Sequence, residues 1–219
     1  MSSCNVFNEV ILSHLNNSVK LKLDPKSLQN VTKAEGTMTR VLDEIKLNSV
    51  SFKFNQILQT SDQSFKLKRY ANRVILEDRS CQHVSIEPEV FSICSRLQLL
   101  SIGSSCLQAS SSLSLIRMPV LKTVLIKSNC FISPKGSKSK VFRVSQCPQL
   151  ISITIEPSCF NAISKIEVSR LYSLVSLKIG SNCFNECHSF SLSQCEMLEQ
   201  LVFPEDSFQK LNDVEIRGD

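Results

Sequence analysis

Several things are scarce in these 219 residues. There is no tryptophan and there are two tyrosines, so the chain lacks the aromatic platform on which nucleobases stack. With five glycines and no GxGxxG or Walker loop, it also lacks the backbone that cradles phosphates. Positive charge is modest: 25 Lys and Arg against 20 Asp and Glu leave a net +5, dispersed along the chain. That is no nucleic-acid footprint, and no nucleic-acid partner is expected. Histidine is limited to His14, His83 and His188. GxSxG and HExxH are missing, so neither a nucleophile elbow nor a metalloprotease helix is encoded. No apolar run approaches the roughly 18 to 20 residues that cross a bilayer, and no membrane span is expected. The first residues have no basic leader and are interrupted by Asn5, Asn8 and Glu9. They read as no secretory signal, which leads to a cytoplasmic expectation. On that expectation the ten cysteines are reduced thiols. The sequons at Asn16 and Asn30 and the closing Arg217-Gly218-Asp219 then carry little weight.

What is present is a repeat. The composition, 42% hydrophobic and 21% charged, is that of a folded body, and self-comparison shows how it is organised. From Leu121, apolar residues follow three, five and ten positions on, at Val124, Ile126 and Phe131. The same offsets recur from Leu97, Leu150, Leu174 and Leu198, from Leu47 (Val50, Phe52, Ile57) and, more weakly, from Ala71. Successive starts from 47 onward lie 24, 26, 24, 29, 24 and 24 residues apart. An eroded unit begins at Ser18, with Leu21, Leu23 and Leu28. A second apolar pair follows at offsets sixteen and eighteen: Leu113 and Leu115, Ile166 and Val168, Phe190 and Leu192, Val214 and Ile216. Phe142 and Val144 fit once the five extra residues of the 29-residue unit are placed before them. Pairs alternating with period two are inward residues of short strands. Each unit is therefore one coil, and stacking coils builds the core that no single coil can enclose.

Leu121 to Phe131, Leu174 to Phe184 and Leu47 to Ile57 all read LxxLxLxxNxL, with Ile or Phe for some Leu. This resembles the leucine-rich repeat, and the Cys-Phe endings are similar to the irregular BspA-like type. The resemblance implies a solenoid, α/β or mainly β, of seven to eight coils with a parallel sheet. It further implies that the Asn amide bonds the turn backbone, although Arg79, Ser105, Ser158 and Asp206 stand at that position in four units. Residues 18–219 are assigned to the solenoid, with 18–46 degenerate. In residues 1–17, Val6, Phe7, Val10, Ile11 and Leu15 lie at helical spacing behind Ser3 as N-cap, which predicts a short capping helix. The last coil has no such segment, so its end is expected to be covered by a partner or by further chain. The insertion from Ile132 to Lys140 holds Lys135, Lys138 and Lys140 and reads as a solvated loop.

Chemistry finds few footholds. Cys183, Cys187, His188 and Cys195 are close enough in sequence for zinc. Yet Cys183 repeats the offset of Cys106, Cys130 and Cys159, Cys187 that of Ile163 and Leu211, and Cys195 that of Cys147, Leu171 and Met118, so the cysteines read as core, where a thiol behaves as a small hydrophobe. No cofactor or metal is expected. On the second strand the outward offset gives Ser114, Arg143, Glu167, Ser191 and Glu215. The two acids stand two coils apart, a poor start for a polysaccharide-active β-helix enzyme. The first-strand outward positions are Leu99, Ser101, Thr123, Leu125, Ser152, Thr154, Ser176, Lys178, Gln200 and Val202. They form a mixed, mildly apolar surface suited to a protein partner. The expected function is a non-enzymatic scaffold binding through that face, ahead of a structural or cell-surface adhesin and of the β-helix enzyme. The oligomeric state is left open.

Overall fold

A computed structural model describes residues 71–133 and 140–218 with their side chains, together with Leu67, Arg69 and three earlier strands as backbone. Those strands are β1 (Glu9–Leu12), β2 (Lys33–Gly36) and β3 (Phe52–Leu58). The rest are β4 (Arg73–Leu76), β5 (Leu99–Ile102), β6 (Leu113–Ile116), β7 (Thr123–Ile126), β8 (Val141–Ser145), β9 (Ser152–Ile155), β10 (Lys165–Ser169), β11 (Ser176–Ile179), β12 (Ser189–Ser193), β13 (Gln200–Val202) and β14 (Asp213–Arg217).

The strands form two wholly parallel sheets. One runs β1-β2-β3-β4-β5-β7-β9-β11-β13 and the other β14-β12-β10-β8-β6. Counted from β4, the chain is a parallel-strand β-solenoid of about six turns; the expected seven to eight coils include two units that start before Ala71. Columns of equivalent residues run through it. Val74, Leu100, Val124, Ile153, Leu177 and Leu201 are register partners in turn. So are Leu113, Phe142, Ile166, Phe190 and Val214 in the second sheet. Within strands, buried and half-exposed residues alternate, as in β7, β9 and β10. Burying each ladder side chain contributes about 1.5–3 kcal/mol before chain entropy is charged.

The turns are built as columns too. After the first strand, Arg79, Ser105, Asn129, Ser158 and Asn182 are left-handed, and so, two residues later, are Cys81, Leu107, Phe131, Phe160, Phe184 and Phe208. The rings of this second column stack: centroids of Phe131–Phe160, Phe160–Phe184 and Phe184–Phe208 are 4.5, 5.2 and 5.5 Å apart, with planes within 12°. Phe142 meets the stack edge-on from the second sheet. Asn129 and Asn182 are exposed and supply left-handed backbone, which Asn tolerates well. The turn-bonding part implied for their amides falls to the next residue. Cys130, Cys159 and Cys183 each donate Sγ–H to a carbonyl of the preceding coil, on Gly103 (3.1 Å), Lys127 (3.1 Å) and Glu156 (3.2 Å). The sulfurs of Cys159 and Cys183 accept the N–H of Cys130 and Cys159 at 3.5 and 3.4 Å. At the far end Ser207 takes the same part, donating to Gly180 O at 2.8 Å and accepting from Cys183 N–H at 3.3 Å. These thiols are buried as expected, but they act as hydrogen-bonding groups as well as small hydrophobes. Hydrogen bonds with Cys130 and Cys183, together with burial, push the Cys159 thiol up, which keeps its proton in place as a donor.

Three expectations are corrected. Residues 9–12 form a strand paired with β2, so the helical spacing over 3–15 does not yield a continuous capping helix. Val10 and Ile11 are β-branched and lie alongside an open parallel edge, where a ladder of backbone bonds replaces the helical ones. The rest of that segment lies outside the described residues, as does the unit beginning at Ser18. In the Leu47 unit, Gln56 and Leu58 pair with Val74 and Leu76, six residues beyond the expected Val50 and Phe52. Phe52 pairs with Ala34 instead. Finally, Ser114 is 6% exposed despite its outward offset. The coil before it carries Pro88, whose carbonyl accepts from Ser114 N–H at 2.8 Å. Its missing N–H cannot continue a ladder. A 3-10 turn, Val90–Ile93, packs against β6 in place of another strand.

If the thiol column is a hydrogen-bond ladder, Cys159→Ser should cost less than half of what Cys159→Ala costs, the latter being about 1–3 kcal/mol for an unsatisfied buried backbone group. Urea denaturation followed by far-UV circular dichroism measures both; equal losses would reduce the column to packing alone.

Candidate functional site

The ten outward positions of the first sheet come together as two adjoining columns. One runs Leu99, Thr123, Ser152, Ser176 and Gln200; the other Ser101, Leu125, Thr154, Lys178 and Val202. In β5, β7, β9 and β11 each alternates with a buried neighbour, and in β13 Gln200 and Val202 flank partly buried Leu201, which is why five short strands hold them on one face. Most are half-exposed; Lys178, Gln200 and Val202 are exposed, and Ser176 Oγ bonds Gln200 Oε1 at 3.3 Å. The face extends one strand further than the sequence reading took it, to Arg73 and Ile75, the partners of Leu99 and Ser101. Offsets two and four of the weak Ala71 unit would have found them. It holds hydroxyls, aliphatic groups and two cations in columns. Such a surface can hydrogen-bond and pack, but it gathers no pair of groups able to move a proton.

The second sheet is more charged. Glu167 is flanked by Arg143, whose Nε donates to Oε2, and by Lys165, with Nζ 2.8 Å from Oε1. Partial burial pushes the Glu167 carboxyl up, but the hydrogen bonds from Arg143 and Lys165 outweigh it and hold the group below its ordinary value of 4.5. Ser191 separates it from Glu215 in the register, and Glu215 pairs with Arg217. An ion-paired carboxylate of lowered pKa is a poor proton donor to a leaving group.

The candidate zinc residues do not converge. Cys183 and Cys187 are buried, while His188 is exposed with Nδ1 3.2 Å from Lys210 O. Among the described residues no group of three or more His, Cys, Asp or Glu is placed to hold a metal ion. No helix among them is long and apolar enough to cross a membrane. Of the insertion, Lys140 is described and Lys135 and Lys138 lie outside the described residues; so does His14, while His83 is exposed.

The corner leading back from the second sheet to the first holds a column that the sequence reading did not single out. Arg117, Gln146, Arg170 and Gln194 occupy it, all left-handed with φ between 53° and 56°. Arg117 Nε donates to Gln146 Oε1 and Arg170 Nε to Gln194 Oε1, both at 3.2 Å. The available signal was the alternation of Arg and Gln at one offset.

Glu167→Gln should lower stability at neutral pH, and the deficit should close in acid. The folded carboxyl is depressed, so its contribution is complete above the ordinary value of 4.5 and lost as pH falls through the depressed one. Denaturant titrations of both proteins at neutral pH and at about pH 3 test this; a deficit that persists in acid would assign the loss to packing.

Comparison of the chain with family models, curated proteins and solved structures finds no match, so the reading of these surfaces rests on their own geometry.

Proposed function

We propose that this solenoid is a leucine-rich repeat of the irregular, Cys/Phe-containing type and works as a non-enzymatic scaffold, in the cytoplasm, that binds a protein partner through the outer face of its first sheet. The observation that carries the reading is the double column from Leu99 to Val202, in which apolar Leu99, Leu125 and Val202 are interleaved with hydroxyls, Gln200 and one lysine. Its aliphatic groups can be desolvated by a partner while the hydroxyls beside them hydrogen-bond across the contact, the division between apolar centre and polar rim that interfaces show. The strands hold it in fixed register, so little ordering entropy is lost on docking. The leucine-rich assignment is supported by the LxxLxLxxNxL spacing together with one first-sheet strand in each coil.

A variant carrying Thr123→Glu, Leu125→Glu, Thr154→Glu and Lys178→Glu should lose the partner recovered by proximity labelling in the native cell while melting at the temperature of the parent chain. Recovery of the same partner by the folded variant would reject this face.

A further inference from the structure

Left-handed backbone costs an ordinary residue about 1 kcal/mol, and Gly, Asn and Asp bear it best. The first corner follows that preference in part, with Asn129 and Asn182, but the return corner places Arg117, Gln146, Arg170 and Gln194 there instead. Their side chains are used in pairs. In each pair the Arg Nε–H is held by the Gln carbonyl of the next coil, which restrains the guanidinium and leaves its Nη donors unused by that bond. The two guanidinium groups are two coils apart, about 10 Å at the strand spacing. An open groove of about 510 Å³ at this corner is lined by Gln146, Pro148, Arg170, Tyr172 and Gln194, none of them acidic, and Arg117 reaches it through its bond to Gln146. Tyr172 is 44% exposed, and Met197 of the following turn 56%. The ion pairs Lys127–Asp78, Arg143–Glu167–Lys165, Lys210–Glu186 and Arg217–Glu215 use neither Arg117 nor Arg170; exposed Glu196 follows Gln194 as Tyr172 follows Arg170.

We propose that this corner is a second docking surface, for an acidic amphipathic helix of a protein partner laid along the solenoid axis. A helix advances about 10.5 Å in seven residues, so glutamates at i and i+7 meet Arg117 and Arg170 together. An extended peptide repeats its same-face side chains every 6.8 Å or so and falls out of step. Apolar residues beside the glutamates cover Tyr172, Pro148 and Met197, the usual division of labour when a helix lies in a groove. This goes beyond the sheet-face reading and uses a different edge of the solenoid.

The test is fluorescence anisotropy of the full chain with labelled three-heptad peptides carrying Glu at i and i+7 beside Leu. The acidic helical peptide should bind, and a Gln-for-Glu version should bind at least about tenfold more weakly. The double variant Arg117→Gln/Arg170→Gln should show the same loss with an unchanged melting temperature; if it melts early, Arg170→Gln alone is read in its place. Thr123→Glu/Leu125→Glu should bind the peptide normally, which separates this surface from the sheet face. The proposal is overturned if the peptide does not bind, if the arginine variants bind it as well as the parent does, if the sheet-face variant loses it, or if a proline-broken peptide of the same composition binds equally well.

Discussion

The molecule depends on in-register stacking of one coil on the next, and each turn must close without leaving its backbone polar groups unpaired in a dry interior. The strands meet that demand through parallel ladders. The first turn meets it with sulfur. A thiol at Cys130, Cys159 or Cys183 is small and apolar enough for the core, yet donates to a carbonyl of the preceding coil, and those of Cys159 and Cys183 also accept an N–H from it. Ser207 makes the same two bonds with a hydroxyl, so the position combines hydrogen bonding with a small volume. Once that column is fixed, the next residue is left-handed and buried, and the phenylalanine stack follows from Phe131 to Phe208.

Much of this was legible because the repeat is periodic and inward positions tolerate little. Leu100, Val124, Ile153, Leu177 and Leu201 form a column because an apolar letter recurs at the same offset, and the pairing confirms every one of those alignments. The second sheet was equally readable from Leu113 through Val214. Legibility fades where one spacing fits two structures. Val10 and Ile11 satisfy a helical stripe and a strand alike, and a neighbouring edge decides between them. In the Leu47 unit both Val50/Phe52 and Gln56/Leu58 have period two, and the register of β4 selects the second pair.

The surfaces were legible in outline only. Alternation identifies which first-sheet residues point outward, so the ten candidate positions fall where the spacing put them. Alternation alone cannot reveal side-chain clamps that cross from coil to coil. The Arg117–Gln146 and Arg170–Gln194 bonds join residues 29 and 24 apart, at a corner where hydrophobic periodicity carries no information. Glu167 is similar: its offset was known, but its two cationic neighbours and their effect on its ionisation come from the packing of β8 beside β10.

The unit with five extra residues places them between Phe131 and Val141, and nothing downstream shifts: Val124 still faces Ile153 and Leu113 still faces Phe142. Architecture here is stored in the two strand ladders and the columns at the turns, and the length of that corner stores none of it. The solenoid therefore has a place where new chain can be added or exchanged without retuning the interior, so its surface can change there while the scaffold stays the same.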